Sequence, residues 1–299
     1  MMNGMDNSIV RKAIIPVAGN GTRMFPETFF IKKAMLPVMD GNGVVKPALL
    51  YMLEELTACG IKDIYLIVGE GESDEYERVF RFDYDEAYEM HLPEKVRGYY
   101  RKIHEMGRKL HLVVQKEKKG FGHAVYQARQ YLDGEPVVLL LGDFLYKSNT
   151  DSSCTQQVID AFKVSEGRTV VGIREIDVED SGNYGVIHGK FRQDITDILE
   201  ADFMIEKPEE NYARQNLLVD GKCYATFGSY VLTDEVFEYV GKQIDEKEKK
   251  GDKEETDLTE AFLNTAAQGR LIGIRVDGKS FDIGLPEMYY RTFTEFGKS

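Results

Sequence analysis

The chain has 299 residues, of which 42% are hydrophobic, and a formal net charge of −13. It can bury one large core or two modest ones, and it contains no apolar run long enough to span a bilayer. The acidic balance argues against nucleic acids and anionic membranes as general partners. Three separated cysteines without C-x-x-C spacing argue against a disulfide framework and a structural zinc site, so we expect a cytoplasmic protein. The first nine residues lack the basic start and apolar stretch of a secretory signal, and we expect a flexible leader there.

The first half of the chain alternates between apolar strands and amphipathic helices. The pattern predicts strands over 10–17, 63–68, 110–115 and 136–141, and helices over 44–59, 74–82, 93–106 and 123–131. Such alternation favours a mainly parallel sheet covered on both faces. In sheets of this kind, ligands bind at the carboxyl ends of the strands.

The second half predicts a more antiparallel region. A helix is expected over 155–164, and strands over 169–173, 184–188, 195–206 and 223–232. The segment Ile244–Glu255 is dense in charge and has a glycine inside, which is typical of a solvated helix end followed by a loop.

The most informative segment is Lys12–Asp40, where a glycine turn and three cations follow the first strand. The spacing G-x-G-T-R differs from both common phosphate-binding glycine loops. An ordinary tight turn explains the glycines alone, but it does not explain why Arg23, Lys32 and Lys33 flank an apolar segment. Backbone N–H groups and cations at a strand end are suited to polyphosphate. The segment therefore predicts a site for a small anionic ligand.

Two further features follow predicted strands. Gln115–Ala124 reads Q-x-x-x-K-G-F-G-H-A, which by itself indicates only the entrance to a helix, with His123 ordering its start. Asp143 ends the run L-L-L-G-D and by itself could be a turn or helix-capping residue. The five histidines show no metal-ligand spacing, and no G-x-S-x-G nucleophile motif is present.

In their order and separation, these motifs resemble those of the nucleotide-diphospho-sugar pyrophosphorylases. The family opens with G-x-G-T-R-x-x-P-x-T and K-x-x-L-P-V, and here the later segments YGVI, EKP and FDIG follow in the same order. Within the family, the chain is most similar to the bacterial UTP:glucose-1-phosphate uridylyltransferases, over nearly its whole length. The resemblance implies a Rossmann-like three-layer α/β/α fold with a mixed, mainly parallel sheet. It also implies one catalytic domain over 1–299, with a nucleotide-binding half over 10–145 and a sugar-phosphate half with C-terminal helices over 146–299.

The resemblance also implies a role for each motif. Gln115 would read the uracil edge, because an amide can both donate and accept hydrogen bonds. The implied nucleotide-binding residues are Ala18, Gly19, Gly21, Thr22, Gln115, Gly120 and Gly122. The implied catalytic cations are Arg23, Lys33 and Lys207, and the implied sugar-binding residues are Gly185, Glu206 and Lys207. The implied Mg²⁺ ligands are Asp143 and Asp282, although a simple turn would also explain Asp282 and an ordinary strand glycine would explain Gly185.

The implied reaction joins UTP and glucose 1-phosphate into UDP-glucose and pyrophosphate, without a protein nucleophile or general base, in a homodimer or homotetramer. The chain departs from the family pattern at Asn20, Phe29, Ala34 and Pro286. In addition, the strand that leads to the implied metal ligand Asp143 ends in L-G-D rather than P-D. These departures leave open thymidylyl or other nucleotidyl transfer to a different sugar 1-phosphate, and a catalytically weak regulatory homologue. A dinucleotide-dependent oxidoreductase is disfavoured because no acidic ribose contact follows the glycines at the usual distance.

Overall fold

A computed structural model describes residues 10–298, so the leader expected over the first nine residues lies outside the described part. The strands within it are β1 Lys12–Pro16, β2 Pro37–Met39, β3 Val45–Pro47, β4 Asp63–Gly69, β5 Leu110–Gln115, β6 Val137–Leu140, β7 Phe144–Ser148, β8 Thr169–Ile176, β9 Gly185–Phe191, β10 Ile198–Glu206, β11 Cys223–Leu232, β12 Leu271–Arg275 and β13 Gly278–Asp282. The α-helices are α1 Glu27–Phe30, α2 Ala48–Ala58, α3 Ser73–Phe80, α4 Glu86–His91, α5 Glu94–Gly107, α6 Phe121–Tyr126, α7 Cys154–Lys163, α8 Glu210–Asn216, α9 Asp234–Lys250, α10 Thr259–Ala267 and α11 Pro286–Glu295.

One nine-stranded sheet runs through both halves of the chain, in the order β5-β4-β1-β6-β11-β8-β12-β10-β9. The four strands of the first half are mutually parallel. From β11 onward the pairings are antiparallel, except that β8 and β12 run parallel. The mixed α/β architecture is thus confirmed, with its parallel part in the first half and the antiparallel region where the sequence predicts it.

The sheet is buried on both faces, because alternate side chains of its central strands enter two different cores. In β1, Ala13 and Ile15 pack on the side of α2 and α7, whereas Ile14 packs on the side of α6, α9 and α10. A strand covered on both faces must be apolar at every position, which is why β6 reads V-V-L-L. The result is the expected helix, sheet and helix layering.

Several predicted element bounds differ from the observed ones. β5 and β11 agree in full, but the helix expected from residue 44 begins only at Ala48, because Val45–Pro47 pairs with β2 as a short hairpin. Helix α4 has no counterpart in the prediction. Its start is fixed by Asp85, whose carboxylate accepts from the Tyr88 N–H at 3.1 Å, a local cap in an acidic, aromatic stretch.

Two features of this fold position the functional residues. The carboxyl ends of β1, β4, β5 and β6 meet at one edge, since these strands are parallel neighbours. A separate ribbon, in which β7 and β13 pair antiparallel, places Asp282 opposite Phe144 and thus beside Asp143.

Among the described helices, none combines the length and apolar character needed to cross a membrane.

Candidate active site

Two adjoining cavities open at the carboxyl edge of the parallel strands. The first has a volume of about 380 Å³ and is lined by the segment after β1, by Gln115 and by the start of α6. The second has a volume of about 440 Å³ and is lined by the end of β10, the middle of β11 and the start of α10. Arg23, Phe121 and Asp143 line both cavities. A molecule in one cavity can therefore meet a molecule in the other at these three side chains.

The glycine turn after β1 forms one wall of the first cavity. Ala18, Gly19 and Arg23 line it directly. Gly21 instead makes the turn itself, because its φ of +61° favours glycine and its carbonyl accepts from the Thr28 hydroxyl at 2.8 Å. Thr22, which is exposed, begins the short 3₁₀ turn that carries Arg23. Of the predicted nucleotide residues in this turn, Gly21 and Thr22 thus shape the loop, whereas Ala18 and Gly19 border the cavity.

Two of the four departures from the family pattern, Asn20 and Ala34, line the first cavity. The Asn20 side-chain oxygen accepts a hydrogen bond from the Lys118 ammonium, which brings an additional cation to the wall of the first cavity. Ala34 is buried and also lines this cavity, whereas Phe29 is exposed and stacks edge-on against Phe30. The fourth departure, Pro286, is the first residue of α11.

Gly142 of the L-G-D sequence is required by close packing. A Cβ atom at this position would lie 2.1 Å from the carbonyl oxygen of Pro16 at the end of β1. Because this neighbour is backbone rather than a flexible side chain, it cannot easily move away. Glycine thus allows the ends of β1 and β6 to approach each other and brings Asp143 to the cavity wall.

Lys33 and the two predicted metal ligands form one charged group. The Lys33 ammonium lies 2.6 Å from Asp143 Oδ2. A Cβ atom added at Gly284 would lie 2.9 Å from both Asp143 Oδ2 and Asp282 Oδ1, so these two oxygens are at most about twice that distance apart. The Ile283 N–H donates to the Asp143 carbonyl at 2.9 Å, which holds the two chain segments together. Two carboxylates at this separation can share one cation.

Burial affects the carboxyl groups of both cavities. It raises the pKa of Asp282 above its usual range, and the negative charge of Asp143 adds to this, while the Gly284 N–H, Lys33 and Arg23 oppose it. Burial likewise raises the pKa of Glu206, with Lys207 lowering it and Asp257 raising it further. Both carboxylates are therefore costly to keep charged in the free protein, and a bound cation or sugar hydroxyls would relieve that cost.

The loop that carries the K-G-F-G-H-A motif is held by a segment from the second half of the chain, residues 255–257. The Thr256 N–H donates to the Lys119 carbonyl, and the Gly122 N–H donates to the Thr256 carbonyl, both at 2.8 Å. A Cβ atom at Gly120 or Gly122 would come within 2.6 Å of the backbone of this segment. Packing against this segment thus leaves no room for a side chain at Gly122. Gly120, with φ of +102°, contacts the same segment and also borders the first cavity.

The predicted sugar residues line the second cavity together. Gly185 begins β9, and a Cβ atom there would lie 2.8 Å from Glu206 Oε2, so glycine makes room for this carboxylate. Lys207 has a φ of +48°, and its N–H donates to the Tyr184 carbonyl at 3.0 Å. Its side chain is 57% exposed, and its ammonium lies 3.9 Å from Glu206 Oε1, a long contact that leaves room for an anion.

A family model described as nucleotidyl transferase matches residues 12–298. The chain belongs to the nucleotidyl transferase family. The assignment made from the motifs is confirmed, and with it the enzyme class. Nucleotidyl transferases of this kind generally use a divalent metal ion.

Relatives of this nucleotidyl transferase are similar over nearly their whole length. It is 30% identical to the UTP–glucose-1-phosphate uridylyltransferase of Staphylococcus epidermidis, over 96% of this chain and 92% of that protein. It is 31% identical to uridylyltransferase 2 of Staphylococcus saprophyticus, with the same coverage. Among solved structures, an apo UDP-glucose pyrophosphorylase superposes with a TM-score of 0.80 at 27% identity, covering 96% of this chain and 98% of that one. A UDP-glucose pyrophosphorylase in complex with UDP-glucose superposes with a TM-score of 0.77 at 26% identity and the same coverage.

The cavities of this nucleotidyl transferase include residues that the sequence analysis did not single out. They are Lys118, Tyr184, Thr226, Glu255 and Asp257. Asp257 accepts from the Thr259 N–H at 2.8 Å in a turn just before α10, a side-chain-to-backbone pattern that is visible in the sequence D-L-T. That pattern could have located the helix start. It could not have shown that the helix start lies against a cavity formed by distant strands.

Proposed function

We propose that this protein catalyses the formation of UDP-glucose and pyrophosphate from UTP and glucose 1-phosphate. One observation carries the proposal: a cavity bordered by the glycine turn and Gln115 joins a cavity bordered by Glu206 and Lys207, and Arg23 and Asp143 stand where they meet. Two phosphorylated substrates bound side by side need this layout. The names of the Staphylococcus relatives and of the pyrophosphorylase neighbours support it.

In the proposed mechanism, a phosphate oxygen of glucose 1-phosphate attacks the α-phosphorus of UTP. A new P–O bond forms, the bond between the α-phosphorus and the bridging oxygen to the β-phosphate breaks, and pyrophosphate leaves with that oxygen. No proton transfer is needed, because the attacking phosphate is already ionised near neutral pH. The protein therefore contributes position and charge neutralisation. Arg23 and Lys33 neutralise the triphosphate, and Lys207 fixes the attacking phosphate.

Asp143 and Asp282 are the proposed Mg²⁺ ligands. Their carboxylate oxygens are hard donors, and the cost of keeping them charged side by side fits a bound cation. Within residues 10–298, no group of three or more histidine, cysteine or acidic side chains could hold a metal ion. Phosphate and water oxygens would have to complete the coordination, as is usual for Mg²⁺ at nucleotide sites. When bound, the ion neutralises phosphate charge next to Arg23 and Lys33.

A second candidate, thymidylyl transfer, is equally compatible with the chemistry of Gln115. Uracil and thymine present the same carbonyl and N–H groups, so an amide cannot separate UTP from dTTP by these groups. Two of the departure sites, Asn20 and Ala34, line the nucleotide cavity, so they also bear on the choice of substrate and on whether turnover is low.

The remaining parts of the proposal concern organisation and location. We propose a single catalytic domain in which residues 10–145 bind the nucleotide and residues 146–299 bind the sugar phosphate, with segment 255–257 crossing from the second half to the nucleotide loop. We also propose a homodimer or homotetramer in the cytoplasm. Sedimentation of the purified protein tests the assembly, and imaging of a tagged chain tests the location.

A pyrophosphate-release screen tests the proposed function. UTP, dTTP, CTP, ATP and GTP are crossed with several hexose 1-phosphates, with magnesium omitted as a control. We expect the highest kcat/KM for UTP with glucose 1-phosphate and no release without the metal. A higher value for dTTP would establish the second candidate. Nucleotide binding without release from any pair would indicate a regulatory homologue.

A further inference from the structure

A short chain of buried hydrogen bonds leads from the first cavity into the protein. Gln115 is 4% exposed and His123 is 9% exposed. The Gln115 Nε2 atom lies 3.1 Å from the Gly120 carbonyl oxygen and 3.0 Å from His123 Nδ1. On the other side of the imidazole, His123 Nε2 lies 3.3 Å from Gln127 Nε2, while that amide donates to the His123 carbonyl at 3.1 Å. An amide NH₂ group therefore lies next to each ring nitrogen, and a neutral imidazole can accept from only one of them.

The Gly120 carbonyl determines how the Gln115 amide is oriented. A carbonyl oxygen can only accept, so the amide atom beside it must be the NH₂ group. That group then directs its second hydrogen toward His123 Nδ1. The neutral ring can accept at only one nitrogen, and the contact at Nδ1, at 3.0 Å, is shorter than the 3.3 Å contact of Nε2 with the Gln127 amide, so we take Nδ1 as the acceptor. An imidazole whose Nδ1 accepts is the neutral ring with its proton on Nε2. The tautomer of His123 and the orientation of Gln115 are therefore coupled.

This orientation decides which atom of Gln115 meets a base. Both amide hydrogens are used within the protein, and Gln115 lines the nucleotide cavity. Oε1 remains as the polar atom for a ligand, and it can only accept. Uracil presents an N–H at N3 and can donate to it, whereas N3 of cytosine carries a lone pair and would be repelled.

We propose that His123, as the neutral imidazole, is a positioning residue for base selection: it holds the Gln115 amide with its oxygen toward the base and thereby favours uracil and thymine over cytosine. This rests on the proposed function only in taking the occupant of the first cavity to be a pyrimidine nucleotide. His123 itself does not line that cavity, and it acts through Gln115.

The surroundings of His123 make its contact with Gln115 dependent on pH. Burial lowers the pKa of His123, and the positive charge of Lys119 lowers it further, while Glu117 and Glu248 oppose this. Lys119 bridges to both Glu117 and Glu248, at 2.8 and 2.9 Å. The ring is therefore neutral at pH 7, and it becomes protonated only at a pH below the usual range of a histidine pKa. Once protonated, Nδ1 becomes a donor that faces the amide NH₂, and the Gln115 contact is lost.

The test compares His123→Leu, which removes the acceptor, with His123→Asn, which places an amide oxygen near the position of Nδ1. Binding of UTP and CTP is measured by calorimetry without sugar phosphate, and KM and kcat are measured in the pyrophosphate-release assay. We expect H123L to raise the KM for UTP and to reduce the UTP/CTP selectivity by about tenfold, with a smaller change in kcat. H123N is expected to retain most of the selectivity. His111→Asn is the matched control, because that half-exposed histidine pairs with Asp63 at 2.9 Å instead of bordering a cavity.

The pH profile separates positioning from a purely structural role. The wild-type selectivity should fall as the pH drops through the pKa of His123, whereas H123N should show no such fall. The inference is overturned if H123L keeps the wild-type UTP/CTP ratio, or if H123N loses as much as H123L. If H123L does not fold, parallel pH profiles of H123N and the wild type overturn it. A wild-type protein that binds CTP as well as UTP would also overturn the inference. A wild type that binds UTP better than CTP but releases no pyrophosphate with glucose 1-phosphate would contradict the proposed function alone, which keeps the two failures distinct.

Discussion

Gly284→Ala places a methyl group between the two proposed metal ligands. The added Cβ would lie 2.9 Å from Asp143 Oδ2 and from Asp282 Oδ1, and 3.6 Å from the Lys33 ammonium. Ordinary van der Waals contact begins near 3.4 Å, so the carboxylates must each withdraw by about half an ångström. The φ of Gly284 is not in the left-handed region, and alanine can therefore adopt the same backbone. The substitution acts on the site rather than on the fold.

The magnitude follows from the geometry that Mg²⁺ requires. The ion binds oxygens at about 2.0–2.1 Å in a nearly ideal octahedron, so displaced carboxylates cannot both reach it. A misplacement of this order costs about 100-fold in kcat, equivalent to about 2.7 kcal/mol of activation free energy. The crowding itself should cost only about 1–3 kcal/mol of folding free energy. We therefore expect a folded protein with a weakened response to magnesium.

The assay measures pyrophosphate release from UTP and glucose 1-phosphate as a function of magnesium concentration, together with the Tm. The matched control is Gly98→Ala in α5, where an added Cβ meets no atom within 4 Å. G98A should keep the wild-type kcat. If G284A has the wild-type kcat and magnesium dependence, no metal ion is held between Asp143 and Asp282, and the reasoning is refuted.

Three other predictions concern single charges of the site. Lys207→Ala should lower kcat by at least tenfold without a change in Tm, because the ammonium is exposed and the backbone is equally strained with either side chain; near-normal release would contradict its role. Asp282→Asn should abolish magnesium-dependent release, yet raise the Tm of the metal-free protein by about 2 °C, because it removes a buried charge beside Asp143. A raised carboxyl pKa means that stability is lost as the pH rises from the unfolded pKa of 3.8 through the higher folded pKa. The gain in Tm should therefore be larger at pH 7 than at pH 3, and an equal gain at both would argue against burial as the cause. Burial also raises the pKa of Glu206. As the pH is lowered, the KM of the wild type for glucose 1-phosphate should therefore begin to rise at a pH above the usual range of a glutamate pKa, and Glu206→Gln, assayed over the same pH series, should lack that rise.

The sequence was sufficient for those parts of the fold that depend on local pattern. Strands β5 and β11 appear within their predicted bounds, because a run of apolar residues between turn signals has few other ways to be buried. The order and separation of the motifs were sufficient for the family. The three motifs of the first half follow β1, β5 and β6, whose carboxyl ends meet at one edge of the sheet. The short β2–β3 hairpin and α4 were missed, because weak local signals depend on the contacts around them.

The roles of individual glycines could not be read from the sequence. A glycine turn suggests close approach of a ligand, but Gly122 and Gly142 are small because distant backbone lies against them. Whether a glycine faces a ligand or another segment depends on which distant part of the chain packs against it. In this protein the segment that packs against Gly122, residues 255–257, begins at the end of the charge-dense stretch Ile244–Glu255, whose sequence indicates only a helix end and a solvated loop.

The sequence by itself determined which chemical groups are available: a glycine turn with cations, an amide, two acidic residues at strand ends and a glutamate-lysine pair. The tertiary structure decided how they work together. The antiparallel β7–β13 ribbon brings Asp282 beside Asp143, although they are far apart in the chain. The buried contacts of Gln115 with Gly120 and His123 leave only its oxygen for a base. The physical reason is that hydrophobic periodicity is a local property, whereas the distance between two charges and the orientation of an amide depend on how the whole chain packs.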